Sequence, residues 1–146
     1  MAKPDHQYCT CEGLRRLTRR MTAVYDRHLA AAGLTVGQYS LLVNISAETM
    51  TLSRLARRTA TDRTTLTRTL APLVKAGWVA VVPGEDARTR QVTLTQEGRH
   101  KVRTSHAVWQ RAQDQIAATL RPKRVEALHD MIDDAMTRLR PFVADN

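Results

Sequence analysis

Residues 51–95 run in one order: TLSRLARRT, DRTTLTRTLAPLVKAG, WVAVVP, GEDARTR and QVTLT. Two short helical segments are followed by an apolar strand, a charged turn and a second strand. That succession leaves few folds open, because two helices must meet across a tight turn and a hairpin must pack beside them. In the second segment Leu66, Leu70, Leu73 and Val74 recur at i, i+4, i+7 and i+8, which predicts one buried face. Arg63, Thr64, Thr67 and Arg68 fall on the opposite face, with Thr65 beside them. Thr61 or Asp62 is placed to cap the helix start. In the first segment Leu52, Leu55 and Ala56 point inward, and Arg54, Arg57 and Arg58 outward.

A helix whose free face carries short hydroxyls and arginines suits the major groove of a DNA duplex. Threonine contacts a thymine methyl or a phosphate, and arginine bonds bidentately to guanine. Its N-terminal amides would also face a phosphate. The tip Gly84-Glu85-Asp86-Ala87-Arg88-Thr89-Arg90 turns on glycine and aspartate between strands expected at 78–82 and 92–95. An arginine there would enter the minor groove, with Asp86 expected to pair with Arg88 or Arg90 and hold it extended. The DNA contacts expected are Arg57, Arg63, Thr64, Thr65, Thr67, Arg68, Asp86, Arg88 and Arg90. The bland alternatives are a solvated polar helix face and a loose charged loop.

Five fragments in order carry a resemblance to a known family. They are Gly33-Leu34-Thr35-Val36-Gly37-Gln38-Tyr39, Leu52-x-x-Leu55-Ala56, Asp62-Arg63-x-Thr65-Leu66-Thr67-Arg68, Leu73-x-x-x-Gly77-Trp78-Val79, and Asp86-x-Arg88-x-x-x-Val92-x-Leu94-Thr95-x-x-Gly98. Together they resemble the MarR family of bacterial transcriptional regulators over nearly the whole chain. The resemblance implies a homodimer on double-stranded DNA, a recognition helix at Asp62–Ala76, and a wing pair at Asp86 and Arg88.

The expected fold is mainly α with a small β-hairpin wing. One domain, 1–146, would hold a winged helix-turn-helix at about 35–95 and dimerisation helices at about 7–32 and 96–140. Leu14, Leu17, Met21, Val24 and His28 follow steps of three and four, as do Val125, Leu128, Ile132, Ala135 and Leu139. Val102, Trp109 and Ile116 repeat every seven. Such seams call for a partner helix. Thr95 is placed to cap the long helix from near Gln96, Pro122 to open the last one, and Pro141 to follow it. A two-fold dimer implies a pseudo-palindromic site.

Charge agrees with nucleic acid as partner: 23 Lys and Arg against 14 Asp and Glu give +9, and pI ≈ 10.5. A non-specific basic or architectural nucleic-acid binder is the alternative. One Phe and three Tyr are few for the aromatic platforms that stack single-stranded bases. No apolar run approaches the ~18 residues of a membrane span, and none follows Lys3 as a secretory signal would require. Two cysteines make no disulfide framework, so a cytoplasmic protein is expected.

Catalytic signatures are missing: no glycine-rich phosphate loop, nucleophile elbow or His-Glu-x-x-His occurs. Asp133 and Asp134 diverge by about 100° on a helix, and His100 and His106 share no face well enough to chelate. Neither an enzyme nor a resident cofactor is expected.

Cys9-Thr10-Cys11 is the one specific clue to a signal. A helix start with Arg15 one turn beyond Cys11 favours thiolate chemistry. Counted from Thr35-x-x-Gln38-Tyr39, Cys11 falls where the peroxide-sensing OhrR branch places its reactive cysteine. By the same resemblance Tyr25 falls where one of two tyrosines reaches that sulfur, and Val36 replaces the other. Cys9 would resolve from the other subunit, because two residues apart within one helix the side chains diverge. Two further readings stay open. His6, Cys9 and Cys11 would hold a soft metal, or a small aromatic effector would bind between winged domain and helical base.

Overall fold

The computed structural model describes residues 9–86 and 88–142. Helix α1 (Thr10–Leu29) runs through a 3-10 turn, Ala30–Ala32, to Gly33. Gly33 takes a left-handed conformation (φ 65°), and the Leu34 amide returns to the Leu29 carbonyl at 3.2 Å. The chain then enters α2 (Val36–Ala47) through a capping box in which Thr35 and Gln38 satisfy each other's amides. The Asp26 carboxylate accepts from the Val36 amide at 2.6 Å and ties α1 to this start.

Next come β1 (Met50–Thr51), α3 (Leu52–Arg58), α4 (Arg63–Lys75), β2 (Val79–Pro83) and β3 (Arg90–Leu94). The expected hairpin is part of a three-stranded antiparallel sheet, ordered β1-β3-β2. Met50, 2% exposed, sits opposite Val92, so a two-residue strand closes the sheet's inner edge. The β3 strand also starts earlier than expected, with Arg90 paired to Pro83. Leu29, Leu42, Leu55, Leu66, Leu73 and Val92 are fully buried and join α1, α2, the two helices of the turn and the sheet in one core.

Periodicity places α4 correctly with one exception. Leu66, Leu70 and Leu73 are buried, but Val74 is 41% exposed. It lies in the last turn, beyond the packed part of the stripe, where Gly77 (φ 75°) sends the chain into β2.

Helix α5 (Gln96–Leu120) is capped by Thr95, whose side chain accepts from the Gly98 amide. It packs along α1, where the Tyr25 hydroxyl donates to Gln113 and His28 bonds Gln115 at 2.7 Å. Arg121 breaks the helix at φ 72°, and Pro122 opens α6 (Pro122–Leu139), followed by a 3-10 turn at Arg140–Phe142. No residue of α6 is buried. Leu14 on α1 and Ile132 and Leu139 on α6 are 51%, 43% and 55% exposed, so the start of the first seam and the end of the second are not covered within one chain, whereas the rest of both is half-buried. Among the described residues no single helix is long and apolar enough to cross a membrane.

Candidate nucleic-acid interface

Helix α4 presents its start and one face to solvent. Asp62 caps it, accepting from the Thr65 amide at 2.9 Å and the Thr65 hydroxyl at 2.6 Å. Those bonds, the hydroxyl's first, hold the Asp62 carboxyl below the usual carboxylate range. The Thr65 proton is thus committed to the cap. Thr67 donates to the Arg63 carbonyl at 2.8 Å, which leaves its methyl and both hydroxyl lone pairs for a ligand. Arg63, Thr64 and Arg68 are exposed, and neither arginine has an ion pair among the described residues.

The turn into α4 is tight: Ala60 is left-handed at φ 48°, and the Thr61 amide bonds the Ala56 carbonyl at 2.9 Å. On α3 the arginines divide. Arg54 and Arg58 both reach Glu48, at 3.0 and 3.2 Å, while Arg57 is exposed and unpaired among the described residues. Periodicity gives no sign of Glu48, because the contact crosses the β1 strand between two helices.

Asp86 corrects an expectation. Its carboxylate accepts from the Arg88 backbone amide at 3.0 Å, and no ion pair joins it to Arg88 or Arg90 among the described residues. The Asp86 carbonyl accepts from the Thr89 amide and hydroxyl, both at 2.8 Å, and the Thr89 carbonyl accepts from Gly84 at 2.9 Å. Asp86 therefore shapes the turn, and the exposed Arg88 and Arg90 carry the charge. Such Asp turns compete for backbone amides at short range, and that explains the choice.

The sensor residues are less closely grouped. Cys9 and Cys11 are exposed free thiols. Cys9 is the N-cap, in extended backbone, and Cys11 is the second residue of α1. The divergence expected for two residues inside a helix therefore does not apply to this pair. Tyr25 lies about 21 Å further along the same helix, with its hydroxyl on Gln113 at 2.5 Å, and burial raises its pKa. Within one chain it does not meet Cys11; any such contact needs a second copy. His6 of the metal set lies outside the described residues. Between helical base and winged part, Trp109 stacks with Tyr39 and His106 at centroid distances of 6.0 and 5.5 Å. Burial raises the Tyr39 pKa, and its hydroxyl is 3.3 Å from His106 Nδ1. Ser105 beside them is 1% exposed, and its hydroxyl has no partner among the described residues.

Paired helices, a three-stranded sheet and an arginine-tipped loop define a winged helix-turn-helix protein. Residues 32–89 match the sequence model of the MarR family. The chain is similar to the M. tuberculosis transcriptional regulator MosR, solved in complex with DNA. That match has 34% identity over 89% of this chain and 98% of MosR, with a TM-score of 0.77. The protein belongs to the MarR family. The transcriptional activatory protein BadR of Rhodopseudomonas palustris is 40% identical over 79 residues, 51% of this chain. That similarity spans only 45% of BadR, less than half its length. The fold also matches a mutant MarR from E. coli complexed with operator DNA. Here the TM-score is 0.78 and identity 24%, over 86% of this chain and 91% of that one.

Proposed function

We propose that this protein is a sequence-specific double-stranded DNA-binding transcriptional regulator, a repressor, acting as a cytoplasmic homodimer on a pseudo-palindromic site. The observation that carries the reading is the exposed face of α4. Its Arg63 and Arg68, without an ion pair among the described residues, stand with Thr64 and Thr67 next to a wing that projects Arg88 and Arg90. The similarity to MosR, solved with DNA, along almost its whole length supports it. In this reading α4 enters the major groove, Arg57 in the last turn of α3 meets phosphate, Thr65 offers its methyl group at the start of α4, and the wing arginines follow the minor groove. Asp86 acts by shaping the wing. The whole chain is one domain without catalytic function.

The test is competition binding on the DNA upstream of the protein's own gene, against bulk duplex and RNA. Preference for the upstream duplex is expected. Arg68→Ala should lose ~1–3 kcal/mol of discrimination within the half-site. Arg88→Ala should lose most on A·T-rich flanks. Equal binding of all competitors would favour a non-specific architectural protein.

For the signal, we propose oxidation at Cys11, supported by two exposed thiols at the start of α1. The Cys11 thiolate would attack the peroxidic oxygen of an organic hydroperoxide, giving a sulfenic acid and releasing the alcohol. Cys9, free of the helical turn, would then condense with it and expel water. DNA binding should fall on treatment of the parent but not of Cys11→Ser. The aromatic group around Trp109 and Ser105, whose hydroxyl has no partner among the described residues, favour a second reading, a small aromatic effector. Unchanged binding of the oxidised parent would put that reading first.

A further inference from the structure

Glu48 closes α2 and meets two arginines of the next helix. One oxygen, Oε1, lies 3.0 Å from Arg54 Nη2 and 3.2 Å from Arg58 Nη1. Arg54 and Arg58 are four residues apart and share a face of α3, whereas Leu55 and Ala56 turn into the core. Arg57 is exposed and has no ion pair among the described residues. The Glu48 side chain is 39% exposed and the two arginines 56% and 41%. Ion pairs that open to water add little to stability. Their effect on local charge is larger.

The first helix of a helix-turn-helix crosses the phosphate backbone. Three free guanidiniums there would grip any duplex, since each neutralised phosphate releases counterions whatever the sequence. A chain already at +9 is exposed to that fault. The geometry points to Glu48 as a specificity-determining residue. Its carboxylate holds Arg54 and Arg58 off the phosphates, leaves Arg57 as the phosphate contact of α3, and keeps sequence-independent affinity low. This inference rests on the DNA-binding reading and adds a residue that opposes binding.

Glu48→Gln keeps the side chain's length and removes its charge. Affinity for a random-sequence duplex and for the upstream duplex is measured at several salt concentrations. In Glu48→Gln, random-sequence affinity should rise about tenfold at low salt, and the slope of log K against log salt should steepen by up to about 1.8, for two added contacts. The preference for upstream DNA should fall. Adding Arg54→Ala and Arg58→Ala should bring both quantities back to the parent's. In the parent background, Arg54→Gln with Arg58→Gln should leave random-sequence affinity and slope unchanged, because those arginines are already withheld. A parental slope in Glu48→Gln, or a gain that survives loss of both arginines, overturns the inference. So does a shallower slope in the double glutamine variant, which also decides the matter if Glu48→Gln fails to fold. A parent that prefers no duplex refutes the DNA reading instead, and that result is distinct because the slopes are taken on random sequence.

Discussion

A Cβ placed on Gly98 would overlap the carbonyl oxygen of Trp78, so the first turn of α5 meets the entry to β2 backbone to backbone. The same carbonyl accepts from the Thr95 amide at 3.1 Å, and the Thr95 hydroxyl donates to the Gly77 carbonyl at 2.6 Å. One turn on, the Lys101 ammonium stands 4.6 Å from the centre of the Trp78 ring and donates to the Ala32 carbonyl. These contacts seat the long helix on the turn that ends α4. A shift of α5 would therefore reach the C-terminal end of α4.

Gly98→Ala tests that seat. The clash is with backbone, so no side-chain rotation relieves it, and α5 has to move. Overpacking of this kind costs about 1–3 kcal/mol. A melting temperature lowered by several degrees is expected, with weaker binding to upstream DNA. Parental melting and binding would show that the helix is not fixed at this point.

Ala60→Gly acts in the opposite direction. Ala60 holds the helix-turn-helix corner at φ 48°, a region where a Cβ costs about 1–2 kcal/mol. Glycine removes that cost and adds roughly 0.5–1 kcal/mol of unfolded-state entropy. A small net stabilisation is expected in denaturant titration, with an unchanged slope against denaturant. A clear loss of stability would mean that the corner depends on the alanine methyl.

Asp62 gives stability a pH dependence of known sign. Its carboxyl is lowered in the folded chain, because the Thr65 hydroxyl and amide donate to the ionised form. The contribution is therefore complete above the unfolded value, near 3.9. It is lost as pH falls through the lower folded value. Asp62→Ala should melt below the parent at neutral pH, and the gap should close as the solution is acidified past that range. A constant gap would assign the effect to something other than ionisation.

How much of this is legible in the chain depends on the range of each interaction. Thr95 and either Thr61 or Asp62 are caps set by three or four neighbouring residues, and local spacing reveals them; the Thr35 cap is equally local but is not among those expected from the sequence. The buried stripe of α4 is equally local, and it misleads only at Val74, where the helix ends. The β1 strand escapes notice because two residues have no period, and Met50 finds its partner at Val92. Glu48 with Arg54 and Arg58, and Tyr25 with Gln113, join elements that no helical or strand repeat connects. Charge alone points Asp86 at the wrong partner, because an amide two residues away competes successfully for its carboxylate.

Helix α6 supplies the last test, of the dimer. Met131, Met136 and Phe142 are 69%, 61% and 83% exposed, beside Ile132 and Leu139. An apolar stripe of this kind, on a helix with no buried residue, needs a cover. Asp130 and Asp134 lie on the opposite face of the helix, and Asp134 pairs with Arg138 at 2.8 Å. A groove of about 590 Å³ runs along α1 past Leu14 and Leu17 and is edged by Arg16 and Arg20. Laying α6 of a second copy on that groove covers apolar side chains of both copies. Leu14→Asp with Leu17→Asp, or Ile132→Asp with Leu139→Asp, should each weaken the dimer in sedimentation equilibrium. Undiminished homodimers of both variants would place the partner elsewhere on the chain. A parent that stays monomeric at micromolar concentration would sink the dimer itself.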